Sequence, residues 1–427
     1  MIARRSVTLT LTVIVLLVVN FWLFKKKVEP EFRPTTYTDI DNAQIDSLRS
    51  DIISAPTTET TTETKKRKFF IAFEYGDQLT CATESLLELA ALSKYGERNV
   101  VVPFAKNSKL YGTKLDEHTG TLSRYFDLKE LNETLKTHGY GTMVHSEYFQ
   151  EYCPQQLNVL LTFLYPFHYA PKLSMSQKKS LNETGWTKCS GSDSKELRMF
   201  EVRERICINP KVLTSMEKLE HDVLRHAPCV GIFLWRGIGP GRGHFTIPSY
   251  ISPPSKIKYA LHISSDLKQI TEQFIAQQLG NDFVSVHVRS EWIMVDNGGS
   301  VEHVFQCLRQ LEDRLKSVKN EIGFKKVFLA TDFSKFGSGS NSIQAARDEK
   351  DKLLNALHRI INKPQTFHPK NIPDRGSVAI VEMSILASGK RLFLVGGGKF
   401  ETWTEFQYNK VNEIPAIKIC FHMSHDQ

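Results

Sequence analysis

Apolar positions fall into a few dense runs separated by long polar stretches, and the spacing within each run predicts an element. Phe69 to Phe73 is a short unbroken apolar run, the mark of a strand buried on both faces. Glu74-Tyr75-Gly76-Asp77-Gln78 breaks it. From Leu79 onward Leu79, Ala82, Leu86 and Leu89 recur at helical spacing until Tyr95-Gly96 closes the helix. Val100 to Val102 reads as the next strand, ended by Pro103. Strand, turn, helix, strand is the opening of an α/β sheet, and in such sheets ligands gather at the carboxyl ends of the strands. Gly76 lets backbone approach a ligand there. Asp77 can accept hydrogen bonds from one, or only cap the helix.

The second half of the chain repeats the alternation. Phe283 to Arg289 predicts a strand whose last positions, His287 and Arg289, share one face because strand side chains alternate. A helix over about Val301 to Lys319 follows, then a strand over Val327 to Asp332. Helices around Ile343 to Ile361 and Val378 to Leu386 precede a strand over Leu392 to Val395, which runs into Gly396-Gly397-Gly398-Lys399-Phe400. Repeated βα units predict a parallel, Rossmann-like lobe. The glycine run leaves backbone N–H groups open to a phosphate, and Lys399 adds charge. Arg289 offers bidentate, permanently charged donors suited to a diphosphate; the alternative is a buried Arg289 paired with Glu291. Between the halves, Tyr111 to Arg225 is weakly patterned. Gly237 to Gly243 lacks the Lys-Ser/Thr of a phosphate loop and reads as a loop near the cleft.

The amino terminus has a different character. Val7 to Phe24 is almost wholly apolar and, at about 1.5 Å per residue, long enough for a thin bilayer. Lys25-Lys26-Lys27 stands where a signal-peptide cleavage site would lie, so the span reads as an uncleaved anchor. Arg4 and Arg5 nearly balance those lysines, and orientation rests on two glycan sequons, at Asn132 and Asn182, which place the large domain in the lumen. The predicted organisation is a cytoplasmic tail (1–6), a membrane anchor (7–24), a low-complexity stem (25–67), an N-terminal Rossmann-like lobe (68–245) and a C-terminal donor-binding lobe (246–427). A single-pass type II protein of the Golgi or endoplasmic reticulum membrane is expected.

Composition refines this only slightly. A net charge of +8, from 55 Lys+Arg against 47 Asp+Glu, suits an anionic substrate but is mostly solvated surface, and it gives no sign of nucleic-acid binding. Seven cysteines in an oxidising compartment predict two or three disulfides and at least one thiol outside them, and no Cys/His spacing suggests zinc. The only Asp-x-Asp, the motif with which many glycosyltransferases hold a metal on the donor diphosphate, is Asp39-Ile40-Asp41 in the stem. Without a metal, a leaving diphosphate must be neutralised by side chains and backbone donors.

From about Phe69 to Tyr408 the chain resembles the GDP-fucose-dependent O-fucosyltransferase superfamily, on three landmarks. Tyr75-Gly76-Asp77-Gln78 is similar to that family's Phe-Gly-Asn-Gln turn. Phe283 to Arg289 is similar to its central strand ending in His-x-Arg. The strand ending at Asp332, the helix carrying Glu382 and the Gly398-Lys399-Phe400 loop are similar to its strand, acidic helix and Ser-Ser-Phe loop. The resemblance implies a two-lobed GT-B fold and an inverting, metal-independent transfer of L-fucose from GDP-fucose to a protein or glycan hydroxyl, with no cofactor. It places the donor on Gly76, Gln78, His287, Arg289, Asp332 and Glu382, with the Gly398-Lys399-Phe400 loop. Catalysis falls to Arg289, with Glu74 and then Asp77 as candidate bases. Two departures stand out: the family usually has Asp at the position of Glu382 and Ser-Ser at Gly398-Lys399. Two alternatives stay open, a glycosyltransferase of this fold using another nucleotide sugar, and a catalytically silent lumenal scaffold. An uncompensated buried Arg289 argues against the scaffold, because such a charge needs an anionic partner.

Overall fold

The computed structural model describes residues 67 to 421, apart from 77, 165–170, 192–194, 234, 238–244, 246–249, 253–256, 258–260, 297–299, 333–347 and 369–373. The expected anchor, the stem up to residue 66, Asp77 and most of the Gly237–Gly243 loop lie outside the described residues. Among those residues no helix is long and apolar enough to cross a membrane.

Among the described residues fourteen strands form three sheets. In chain order they are β1 (Lys68–Phe73), β2 (Arg98–Val101), β3 (Phe104–Lys106), β4 (Lys109–Tyr111), β5 (Gly120–Thr121), β6 (Met143–Val144), β7 (Gln156–Phe163), β8 (Trp186–Lys188), β9 (Glu201–Ile208), β10 (Cys229–Phe233), β11 (Phe283–Val288), β12 (Lys326–Thr331), β13 (Leu392–Val395) and β14 (Ile417–Ile419). The first sheet runs β6-β2-β1-β10-β7-β9-β8, parallel but for the edge strand β8. The second, β12-β11-β13-β14, is wholly parallel. β3, β4 and β5 make a small antiparallel sheet. This is an α/β fold.

Alternation along the strands decides which core each side chain joins. On β1, Phe70 and Ala72 enter a large apolar cluster, while Phe69, Ile71 and Phe73 enter a smaller one on the opposite face. On β13, Leu392 and Leu394 join the large cluster, and Phe393 and Val395 pack on the other side with Val284, Val286 and Val288 of β11. The large cluster is continuous from Phe70 and Leu86 to Phe328, Ile380 and Trp403, so one core serves both main sheets.

Four helices position the candidate site: α1 (Leu79–Ser93), α2 (Ser290–Asp296), α3 (Arg375–Ala387) and α4 (Lys399–Val411). The helix expected around Ile343 to Ile361 is seen over Lys350–Ile360. The weakly patterned middle holds more order than its sequence suggests, including the eight-residue strands β7 and β9. β9 reads Glu-Val-Arg-Glu-Arg before its apolar end, because its first half borders only β7 and leaves polar side chains in solvent. Disulfides join Cys153–Cys229, Cys189–Cys207 and Cys307–Cys420, and Cys81 stays outside them.

Candidate active site

The carboxyl edge of the second sheet gathers most of the sequence-predicted residues. β11 ends where the Arg289 N–H donates to the Val395 carbonyl at 2.8 Å, which pins the strand exit beside the start of the glycine run. That run lies flat on Arg289. Gly396 has φ +87°, and a Cβ there would stand 2.4 Å from the Arg289 carbonyl oxygen. Gly398 has φ +139°, and a Cβ would stand 2.6 Å from Arg289 Nη1. Backbone conformation favours glycine at both positions, and close approach to backbone requires it at Gly396. The loop delivers Lys399, Phe400 and Glu401 as the first turn of α4, whose leading N–H groups have no partner within the helix.

Glu401 is the centre of the cluster and was not among the residues expected from sequence. It is fully buried, with Oε2 3.3 Å from Arg289 Nη1 and Oε1 3.0 Å from His287 Nδ1. The contact to His287 is an ion-pair approach without hydrogen-bond alignment. Burial alone would raise the Glu401 pKa; His287 and Arg289 beside it overcome that and hold the carboxyl below its ordinary range. His287 also packs on the Phe400 ring, centroids 5.0 Å apart, and Arg289 lies over Trp292 at 5.8 Å. His287 and Arg289 thus share a face, as alternation predicts. The expected alternative partner of Arg289, Glu291, is replaced by Glu401, a residue of another element. Glu401 compensates Arg289, so Arg289 is not the unpaired buried charge expected from sequence and does not speak against a silent scaffold.

Asp332, at the end of β12, turns inward. Its carboxylate accepts the Ser290 hydroxyl at 3.1 Å and the Glu291 N–H at 3.0 Å, which fastens the start of α2. Burial pushes its pKa up against these bonds. Glu382 sits midway along α3. A crossover helix returns antiparallel to the strands it connects, and Ser285 of β11 donates to the Ile385 carbonyl at 3.5 Å. Glu382, a turn before Ile385, therefore lies toward the carboxyl edge. No hydrogen bond or ion pair holds its carboxylate among the described residues, and burial pushes it up to about 8.

The turn after β1 stands on the carboxyl edge of the first sheet. Glu74 is half-buried with φ +49°, the Gly76 N–H donates to the Trp235 carbonyl at 3.0 Å, and Gln78 is exposed at the N-cap of α1. A Cβ on Gly76 would stand 2.6 Å from the Arg236 side chain, so that arginine lies directly against the turn. Arg236 stands just past a buried strand, as Arg289 does, and was not among the residues expected from sequence. α1 joins the two edges: Glu84 accepts the Trp403 indole N–H at 3.0 Å and lies 3.3 Å from Lys399 Nζ. The Lys399 ammonium, expected at a phosphate, is held here by Glu84. Of the sequons, Asn182 is exposed, whereas the Asn132 amide both donates to and accepts from the Met143 backbone at 2.9 and 2.8 Å.

The fold belongs to a class already seen in solved structures. Among the most similar are crystal structures of POFUT1, a GDP-fucose protein O-fucosyltransferase. The apo form superposes with a TM-score of 0.52 at 15% identity, covering 84% of this chain and 99% of that one. The complex with GDP gives 0.50 at 15%, covering 83% and 99%. A complex with GDP-fucose gives 0.50 at 15%, covering 84% and 98%. No family model matches the chain, and no curated protein matches it in sequence. The likeness is one of fold, and over four-fifths of the chain it agrees with the resemblance drawn from three short motifs.

Proposed function

We propose that the protein is an inverting, metal-independent fucosyltransferase that moves L-fucose from GDP-fucose to a hydroxyl of a protein or glycan. The observation that carries this reading is the Arg289–Glu401–His287 cluster under the glycine run, at the carboxyl edge of a fold solved elsewhere with GDP-fucose. Arg289 and the N–H groups of Lys399 and Phe400 take the diphosphate, and Glu382 takes the guanine N–H groups. An acceptor oxygen attacks the fucose anomeric carbon opposite GDP, and the bond from that carbon to the diphosphate oxygen breaks. Arg289 stabilises the charge left on GDP. The acceptor proton passes to Glu74, to Asp77 or to the departing phosphate. Glu401 holds the Arg289 fork in place with one oxygen and His287 with the other.

The proposed setting is the two-lobed GT-B arrangement expected from sequence, carried on a type II anchor through residues 7–24, with catalysis in the lumen of the Golgi or endoplasmic reticulum. Two observations favour a second donor: Glu382 is a methylene longer than the family's Asp, and Lys399 pairs with Glu84 where the family has Ser. Turnover and binding of GDP-fucose, GDP-mannose and UDP-sugars by the purified protein in EDTA decide between them. Selective use of GDP-fucose supports the proposal. Preference for another donor keeps the fold and changes the substrate, and no binding to any of them leaves a silent scaffold.

A further inference from the structure

The turn that carries Glu74 is fastened by a buried carboxylate from a distant part of the chain. Glu196, just before the short 3-10 turn Leu197–Met199, is 4% exposed. Its Oε1 accepts the Glu74 N–H at 3.1 Å, and its Oε2 accepts the N–H groups of Gly112 at 2.6 Å and Thr113 at 3.3 Å. Both segments it joins are under constraint. Glu74 sits at φ +49°, a region disfavoured for a non-glycine residue that persists only where surroundings enforce it. Gly112 is pressed onto the strand exit, where a Cβ would stand 2.5 Å from the Ala72 carbonyl oxygen. Burial pushes the Glu196 carboxyl up to about 7 even against its three amide bonds, so holding it there has a cost. A buried carboxyl whose two oxygens accept three backbone donors ties both segments in a fixed direction.

We infer that Glu196 is a positioning residue for the transfer reaction. It fixes the backbone of Glu74 in the left-handed region and so sets the direction in which the Glu74 side chain leaves the turn. The Cα–Cβ direction follows from the backbone, and small misplacements of a reacting group are expensive in rate, about 10²-fold for 1 Å. This rests on the proposed role of Glu74 as the base of the transfer; the hold itself is a property of the fold.

Glu196→Gln in the full-length protein tests it, because an amide nitrogen replaces one acceptor oxygen and faces either Glu74 or the Gly112–Thr113 pair. Hydrogen exchange should show lost protection at the Glu74 amide or at the Gly112 and Thr113 amides, and kcat should fall at least tenfold. KM for the donor and GDP-induced thermal stabilisation should stay within about threefold of wild type. Glu196 acts through Glu74, so Glu74→Gln with Glu196→Gln should be no slower than Glu74→Gln alone. Glu196→Asp, which keeps two acceptor oxygens on a shorter arm, should recover part of the rate, and it takes over all these readouts should the glutamine variant not fold. Unchanged protection, a kcat within twofold of wild type, or a double variant showing the product of both losses overturns the inference. Absence of any fucosyl transfer by wild type would instead fail the proposed function, and hydrogen exchange would then decide the hold alone.

Discussion

Removing the arginine of the central cluster should separate what that cluster does for folding from what it does for catalysis. In Arg289→Met, the fully buried Glu401 keeps His287 alone of the two partners in its cluster. At 3.3 Å and an effective dielectric of about 20 the gross Arg289–Glu401 attraction is about 5 kcal/mol. Desolvation offsets much of that, and the Arg289 side chain is 24% exposed, so water already takes part of its charge. The net coupling should be about 1–3 kcal/mol, the range for hydrogen bonds to charged groups. A double-mutant cycle of Arg289→Met and Glu401→Gln, followed by denaturant unfolding, measures it. Each single variant should lose stability, and the double variant should lose less than the sum by that coupling. Activity should follow a different rule. Arg289→Met and the double variant should both lose about 10²-fold or more in fucosyl transfer, because the transition-state charge has lost its donor whether or not the buried carboxylate is relieved. Strictly additive stabilities would refute the pair as a coupled unit. Recovered transfer in the double variant would refute Arg289 as the group that meets the diphosphate.

Three further outcomes follow from other parts of the molecule. Glu382 has a folded pKa of about 8 against an ordinary 4.5, so its contribution to stability is full below about pH 4.5 and is lost as pH rises toward 8. Thermal melts from pH 5 to 8.5 should show Glu382→Gln gaining about 2–4 °C on wild type across that window, and a constant difference would refute the assignment. Lys399→Ser should change GDP affinity by less than about threefold, since Glu84 already holds the ammonium, and a tenfold loss by calorimetry would place Lys399 on the phosphate after all. Arg98 is fully buried, paired with Glu220 and bonded to the Leu224 and Ala227 carbonyls at 2.9 and 2.8 Å. Glu220→Gln should therefore cost about 3–5 kcal/mol in denaturant unfolding, and a loss under 1 kcal/mol would show that the charge is better solvated than its burial implies.

What the sequence revealed, and what it hid, follows from how burial is written into a chain. β1, β11 and β13 are buried on both faces, so each is an apolar run that needs no tertiary information to be seen. The shared face of His287 and Arg289 followed from strand alternation alone. Glu401 was invisible for the opposite reason. In Lys-Phe-Glu-Thr-Trp-Thr-Glu it looks like one of two solvated helix acids, and only the fold brings His287 and Arg289 onto it. The sequence-based partner for Arg289 was Glu291, because a local pairing is all that adjacency can suggest. Glu196 was hidden in the weakly patterned middle, where strands such as β9 carry a polar half and no periodic signal marks the segment that reaches back to Glu74. Lys399 was legible as a charge beside a glycine loop, but its partner stands on a helix more than three hundred residues earlier.

The Cys307–Cys420 bridge closes a loop with a sequence separation of 113 that contains Asp332, Glu382 and the Gly398–Phe400 run. Under oxidising conditions that whole part of the site is one covalent ring, with His287 and Arg289 just outside its closure. A protease cut anywhere within the ring leaves both pieces attached, so a nicked molecule would migrate as a single chain until reduced. Loop closure of that size restricts the unfolded chain by about 4–5 kcal/mol. A reducing environment would withdraw that restraint from the segment that holds Asp332, Glu382 and the glycine run, and the same step would let a nicked ring fall into two pieces.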